Sequence, residues 1–362
     1  MDDEPERADR ARRGGIGDAM VADASAPLVA DRFVLSEAQL GAALSLAGLT
    51  PSPRSELPAP PPPGDAQQAL AGTNVLGEDG VVRAEAAVAL AVAADPRRSL
   101  TIVTNRAGRS EWTEAVFVSG ADGEDGAGPH VAQSIHEGEI DLALLPTAAQ
   151  ALVTADDLLQ LSALPARPGS RALRLDLPAY AALLAVADLL QQARLEARLA
   201  RERQPLPVIT AAAAEEQLAR GLESNDTRWA VTAGRAVCPA DLTHARGHLA
   251  AGLDSLGRAG LLEAAEGGTS PTAAGFELFG DLGRLLNSAG LVLASADGDE
   301  RVALAHLTLL RCAEAIWYVA WRRIGQEHAT IELFQSSPVA ALSVLRGLLE
   351  PAELPHIDAP TS

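Results

Sequence analysis

The spacing of apolar positions changes period along the chain, and each change predicts a different element. Leu35, Leu40, Ala43, Leu44 and Ala47 recur at helical spacing, with Ser36 as N-cap and Gly48 at the end, so an amphipathic helix is expected over 35–48. Pro51, Pro53, Pro58 and Pro60 to Pro63 then enforce a stiff extended connector. Residues 65–76 read as a second short helical stretch, 77–80 as a turn, and an alanine-rich helix carrying Val88, Leu90 and Val92 stops at Asp95-Pro96. From there the period falls to two. Segments 100–103, 115–118, 131–135 and 139–145 are expected to be strands, antiparallel in sequence, closed by a helix over 147–161.

The second half follows the same plan. Leucines at 183, 184, 189, 190, 195 and 199 predict a long helix over 177–203, followed by helices over 211–222 and 241–259, the last ending at Gly260. A Gly-Gly turn at 267–271 leads to a helix over 272–286 and a strand-like piece at 291–294. Apolar segments 301–311 and 314–321 come next, with Cys312 on an apolar helix face beside Leu309, Ala315 and Ile316. Residues 329–334 alternate, and 338–349 form a final helix.

Local sequence agrees with this parallel. Leu70 to Leu76 followed by Gly80 resembles Leu256 to Leu262 followed by Gly268, and Glu114-Ala115-Val116 resembles Glu314-Ala315-Ile316. Ile140-Asp141-Leu142 with Leu158-Leu159 resembles Ile331-Glu332-Leu333 with Leu348-Leu349. The expectation is an internal duplication. It gives an α+β fold of two pseudo-symmetric lobes, each with winged-helix-like helices and a small antiparallel sheet. The boundaries are a disordered tail over 1–30, a first repeat over 31–165, a second over 170–351 with a winged-helix-like segment at 241–272, and a C-terminal tail over 352–362.

Composition changes this picture chiefly by exclusion. All 29 basic residues are arginine, which removes the lysine of a phosphate-binding P-loop, of a protein kinase and of a Schiff-base enzyme. The net charge of −19 opposes binding to nucleic acid and anionic lipid. No long uncharged apolar window and no apolar leader follow Met1-Asp2-Asp3-Glu4, and only two cysteines occur, so a cytoplasmic chain with reduced thiols is expected.

Candidate chemistry is sparse. His244 and His248 stand four apart on the helix predicted over 241–259 and could face one metal ion, but no third ligand is near and two exposed histidines are the plainer reading. The remaining histidines read as surface or cap residues. No Gly-x-Ser-x-Gly elbow occurs, and Cys312 reads as a buried, inert thiol. Segment 241–272 looks like a winged helix, yet its recognition helix offers only Arg246 and Arg258 against Asp241 and Asp254. No cofactor or catalytic residue is assigned.

Charge distribution carries more. Between residues 110 and 166 stand Glu111, Glu114, Asp122, Glu124, Asp125, Glu137, Glu139, Asp141, Asp156 and Asp157 without one arginine. Such a block solvates a sheet face or meets a basic or polar partner. Trp317 and Trp321, one helical turn apart, read as core or as a recognition anchor. The residues assigned to a partner are therefore Glu111, Trp112, Glu114, Glu137, Glu139, Trp317 and Trp321.

The run Leu35-Ser-Glu-Ala-Gln-Leu40 to Leu49-Thr-Pro-Ser-Pro, then Ala69 to Leu76, Asp79-Gly80-Val81-Val82 and Ala89 to Leu100, resembles the opening of the EspG-type chaperones of actinobacterial type VII (ESX) secretion. The resemblance covers about 33–160, with the second half similar in architecture. It implies a cytosolic, non-enzymatic protein that binds the helical tip of a PE/PPE-like secretion substrate. The alternative is a winged-helix transcriptional regulator that binds DNA.

Overall fold

The structure, a computed structural model, describes residues 31–58, 65–107, 112–120, 128–136, 138–163, 166, 169, 171–201, 207–297, 300–324 and 328–350. Both expected tails, 1–30 and 352–362, lie outside the described residues.

In the first half the elements run β1 (Asp31–Ser36), α1 (Glu37–Leu46), α2 (Ala66–Ala69), α3 (Ala84–Ala94), β2 (Arg98–Arg106), β3 (Thr113–Ser119), β4 (His130–His136), β5 (Glu139–Leu145) and α4 (Ala148–Leu159). The second half runs β6 (Ala172–Leu175), α5 (Leu177–Ala200), α6 (Ala211–Glu223), α7 (Ala230–Val237), a 3-10 turn (Leu242–Ala245), α8 (Leu249–Arg258), β7 (Leu262–Ala265), β8 (Gly268–Pro271), α9 (Ala273–Leu282), β9 (Leu285–Asp297), β10 (Glu300–Cys312), β11 (Ile316–Ile324), β12 (His328–Ser336) and α10 (Pro338–Leu349).

Helix starts follow the capping residues. Ser36 accepts from the Gln39 N–H while the Gln39 side chain accepts from the Ser36 N–H, and Thr147 with Gln150 repeats this reciprocal box. Asp176, Thr210, Thr272 and Ser337 each accept from the third backbone N–H of their helix.

Instead of two small sheets, ten strands form one antiparallel sheet in the order β1-β5-β4-β3-β2-β9-β10-β11-β12-β6. The halves meet where all nine residues of β2 pair with β9, from Arg98↔Ser295 to Arg106↔Asn287. Read inward from each edge, the strands run β1, β5, β4, β3, β2 and β6, β12, β11, β10, β9.

Alternation along the strands gives the sheet two apolar faces. Leu100, Ile102, Phe117, Leu291, Leu293 and Leu309 face a layer containing α4 and α10. On the other face, Val116, Val118, Val131 and Leu142 lie under α1 and α3, and Trp317, Val319, Ile331 and Leu333 lie under α5.

The two last helices are held crosswise. Carbonyls at the end of α4 accept from the second half: Leu158 and Leu159 from Asn287 Nδ2 at 3.0 and 3.2 Å, and Gln160 from Arg311 Nε at 3.3 Å. The end of α10 is held by the first half, where His130 Nε2 donates to the Leu349 carbonyl at 3.0 Å and Arg98 donates to the Glu350 carbonyl. Donors at a helix C-terminus satisfy its orphan carbonyls, and the two arginines also oppose the negative end of the dipole.

Several expected elements differ. Leu35 belongs to a strand, and helix in the 65–76 stretch is confined to Ala66–Ala69. The helix expected to reach 286 ends at Leu282, because Leu285 already pairs with Cys312. Segments 301–311 and 314–321 are sheet, so Cys312 sits on a strand; their repeating Leu, Ala and Ile are compatible with both periods, and cross-strand pairing decides. The helix expected over 241–259 is split at Gly247, whose φ of +76° is left-handed. Among the described residues, no helix is long and apolar enough to cross a membrane.

Candidate partner-binding surfaces

Of the acidic positions assigned to a partner, Glu111 and Glu137 lie outside the described residues. Trp112, at the mouth of β3, is 37% exposed, and Glu114 and Glu139 are exposed. Strand alternation then divides them. Glu114 shares a face with Val116 on the side of α1 and α3, whereas Glu139 is out of phase with Ile140 and belongs to the opposite face. Asp141 is engaged within the fold, where both carboxylate oxygens accept from Arg32 Nε at 2.8 Å.

Around Glu114 the sheet holds a small cavity of about 110 Å³ lined by Glu56, Glu114, Val116, Gln133, Ser134 and Ile135. Sequence reading finds Glu114 from the charge block but not Gln133 or Ile135, because their meeting depends on the Val116↔Gln133 register of β3 and β4.

The tryptophans separate too. Trp317 is 1% exposed and packs in the core under α5, so it cannot serve as a surface anchor. Trp321 is half-buried; its ring meets Tyr180 edge-on at 5.4 Å and 84°, and its Nε1 donates to Thr308 Oγ1 at 3.4 Å. Four strand spacings from β3 to β11 place Trp321 about 19 Å from Glu114 across the sheet. The assigned residues thus do not form one patch.

A larger groove of about 540 Å³ runs between α5 and α9, and no sequence signal marked it. Leu190 and Phe279 form its floor, and Phe276, 45% exposed, stands at its side. Arg194, Arg284, Glu277 and Glu314 rim it. Arg284 is fixed by Glu314 Oε1 at 2.5 Å and by the Gly280 carbonyl at 3.0 Å. Arg194 makes no ion pair among the described residues; burial, and then the neighbouring Arg198 and Arg284, lower its pKa. Leu199 on α5 is 86% exposed.

The histidines and cysteines singled out in the sequence are not brought together. His244 lies in the 3-10 turn and His248 precedes α8, so the split of the predicted helix removes their shared helical face. Among the described residues no three His, Cys, Asp or Glu side chains gather as a metal site. Burial pushes the Cys312 thiol well up and that of Cys238 to about 12, the opposite of an activated nucleophile.

No protein-family model matches the sequence, and no curated protein matches it. Among solved structures, the chain is similar to one described as the Mycobacterium tuberculosis type VII secretion system chaperone EspG5 in complex with the PE25–PPE41 dimer, at 10% identity and a TM-score of 0.47, over 86% of this chain and 93% of that one.

Proposed function

We propose that this chain is a non-enzymatic cytoplasmic chaperone or adaptor that binds a helical protein partner, of the PE/PPE-like class of type VII secretion substrates. The carrying observation is the groove between α5 and α9, with an apolar floor, an exposed phenylalanine and charges of both signs on its rim. An amphipathic helix lays its apolar stripe into such a groove and meets the rim with its polar flanks. The EspG-like opening of the sequence supports the class of partner, and the two unbonded cysteines support a reducing compartment.

The reading includes two pseudo-equivalent halves. In its support, each half runs an edge strand, helices, an antiparallel pairing, a helix, four strands and a last helix. The isolated Leu76↔Val82 bridge stands where the β7–β8 hairpin stands in the second half. Ile140 and Ile331 fall on β5 and β12, in corresponding places, whereas Glu114 is on β3 and Glu314 is in the turn after β10, which is not corresponding.

The winged-helix-like unit reads as scaffold. Ile209 makes a single bridge to Thr269 beside the hairpin, but the charges on α8 are only Asp254 and Arg258, too few to hold a phosphate backbone.

A photo-crosslinking residue at Phe276 tests the reading. Expressed in the native host, it is expected to capture a small helical protein, whereas the same residue at Val339, 75% exposed on α10, captures none. Equal capture at both sites, or none at either, overturns it. Amine-reactive linkers are unsuitable here, since the chain has no lysine.

A further inference from the structure

We propose that the cavity beside Glu114 is a seat for one basic side chain, an arginine or lysine delivered by the bound partner. The inference rests on the partner-binding reading for the identity of that donor, and on the cavity itself for its chemistry.

Register builds the seat. Val116 and Gln133 pair directly across β3 and β4, and Glu114 and Ile135 lie two residues further along on the same face. Glu56, from the segment after Pro53, completes the wall. The result joins two carboxylates, an amide oxygen, a serine and two aliphatic side chains around a space of about 110 Å³.

Two independent features specify what fits. Gln133 is only 2% exposed, yet its Oε1 is buried without a hydrogen-bond partner among the described residues. Such an acceptor lacks a donor, and leaving it unmet costs free energy. Glu114 makes no ion pair among the described residues. The missing group therefore donates hydrogen bonds, is positive, and has an apolar stem to cover Ile135, which is 52% exposed. Guanidinium and ammonium groups offer donors only, on aliphatic stems that pack along apolar surface. A phosphate, a carboxylate or a neutral acceptor lacks the positive charge that these demands include.

The full chain labelled with ¹³C at isoleucine δ1 methyls reads this directly, through Ile135, with butylguanidinium as probe. The Ile135 methyl is expected to shift saturably, while buried Ile331 does not move. n-Butanol, with the same stem and no charge, is expected to leave Ile135 in place. Glu114→Gln and Gln133→Met should each raise the probe's midpoint about fivefold or more, with an unshifted Ile331 methyl reporting an intact fold. Equal response to butanol, or unchanged midpoints in both variants, overturns the seat. If the seat fails while Phe276 still captures a helical protein, the partner reading stands without it; if butylguanidinium binds as expected but nothing is captured at Phe276, the seat stands and the partner reading falls.

Discussion

Among the described residues, Asp188 is the carboxylate raised furthest by its surroundings. It sits fully buried on α5, where the N–H groups of Ala230 and Val231 at the start of α7 donate to it at 2.6 and 3.1 Å. Desolvation raises its pKa to about 7, against the lowering by those N–H groups and by Gln217. Between about pH 4 and pH 7 the folded chain retains a proton that the unfolded chain releases. The stability this group contributes is therefore complete below about pH 4 and is lost as the pH rises to about 7. Asp188→Asn should remove that dependence: the melting temperature of the variant relative to the parent rises from pH 4 to pH 7, and a constant difference refutes the assignment. At the other sign, Arg311 is buried with its guanidinium on the carbonyls of Gln160 and Ala315, so its charge is spent on a helix end and a turn rather than on a ligand.

Among the elements, α5 and α8 approach so closely that side-chain volume decides the contact. A Cβ at Gly252 would lie 2.3 Å from the Pro178 carbonyl oxygen, which belongs to backbone and cannot rotate away. Gly252→Ala should cost about 1–3 kcal/mol, seen as a lower denaturation midpoint. Gly280 on α9 has open space at the same position, so Gly280→Ala should stabilise by about 0.5–1 kcal/mol. The reverse ranking would mean that the two helices are not in contact. Much of the helix and strand pattern of the first half was legible in the sequence because Ser36 marks a helix start and short apolar runs separated by Gly/Asp-rich turns mark the strands. The edges β1 and β6 are six and four residues long and carry too little alternation to read. Trp317 and Trp321 illustrate the ambiguity of β11: a separation of four is one turn of helix and also two strand repeats, so their common face is readable but their period is not. The same limit divides the acidic block, since one residue of phase places Glu139 opposite Glu114.

For the whole molecule, the β2–β9 seam and the crossed helix ends make each half a part of the other. Arg98 and His130 hold α10, and Asn287 and Arg311 hold α4, so a chain cut between 165 and 170 leaves both last helices with bare carbonyls and both inner strands with open edges. Fragments 31–165 and 170–350 are expected to aggregate when made separately and to elute as one species when made together. Two independently soluble, folded fragments would contradict this. The two proposed partner surfaces follow the same division, with the cavity beside Glu114 in the first half and the α5–α9 groove in the second.

The crossed capping also has an order in time. Leu159 leaves the ribosome long before Asn287 exists, and at about 5–20 residues per second the interval is roughly 6–25 s. Throughout it, α4 lacks its Asn287 and Arg311 donors and β2 has no neighbour on its inner side. Translation therefore leaves the first half as a half-built template, and the emergence of β9 is the event that commits the nascent chain to its native pairing.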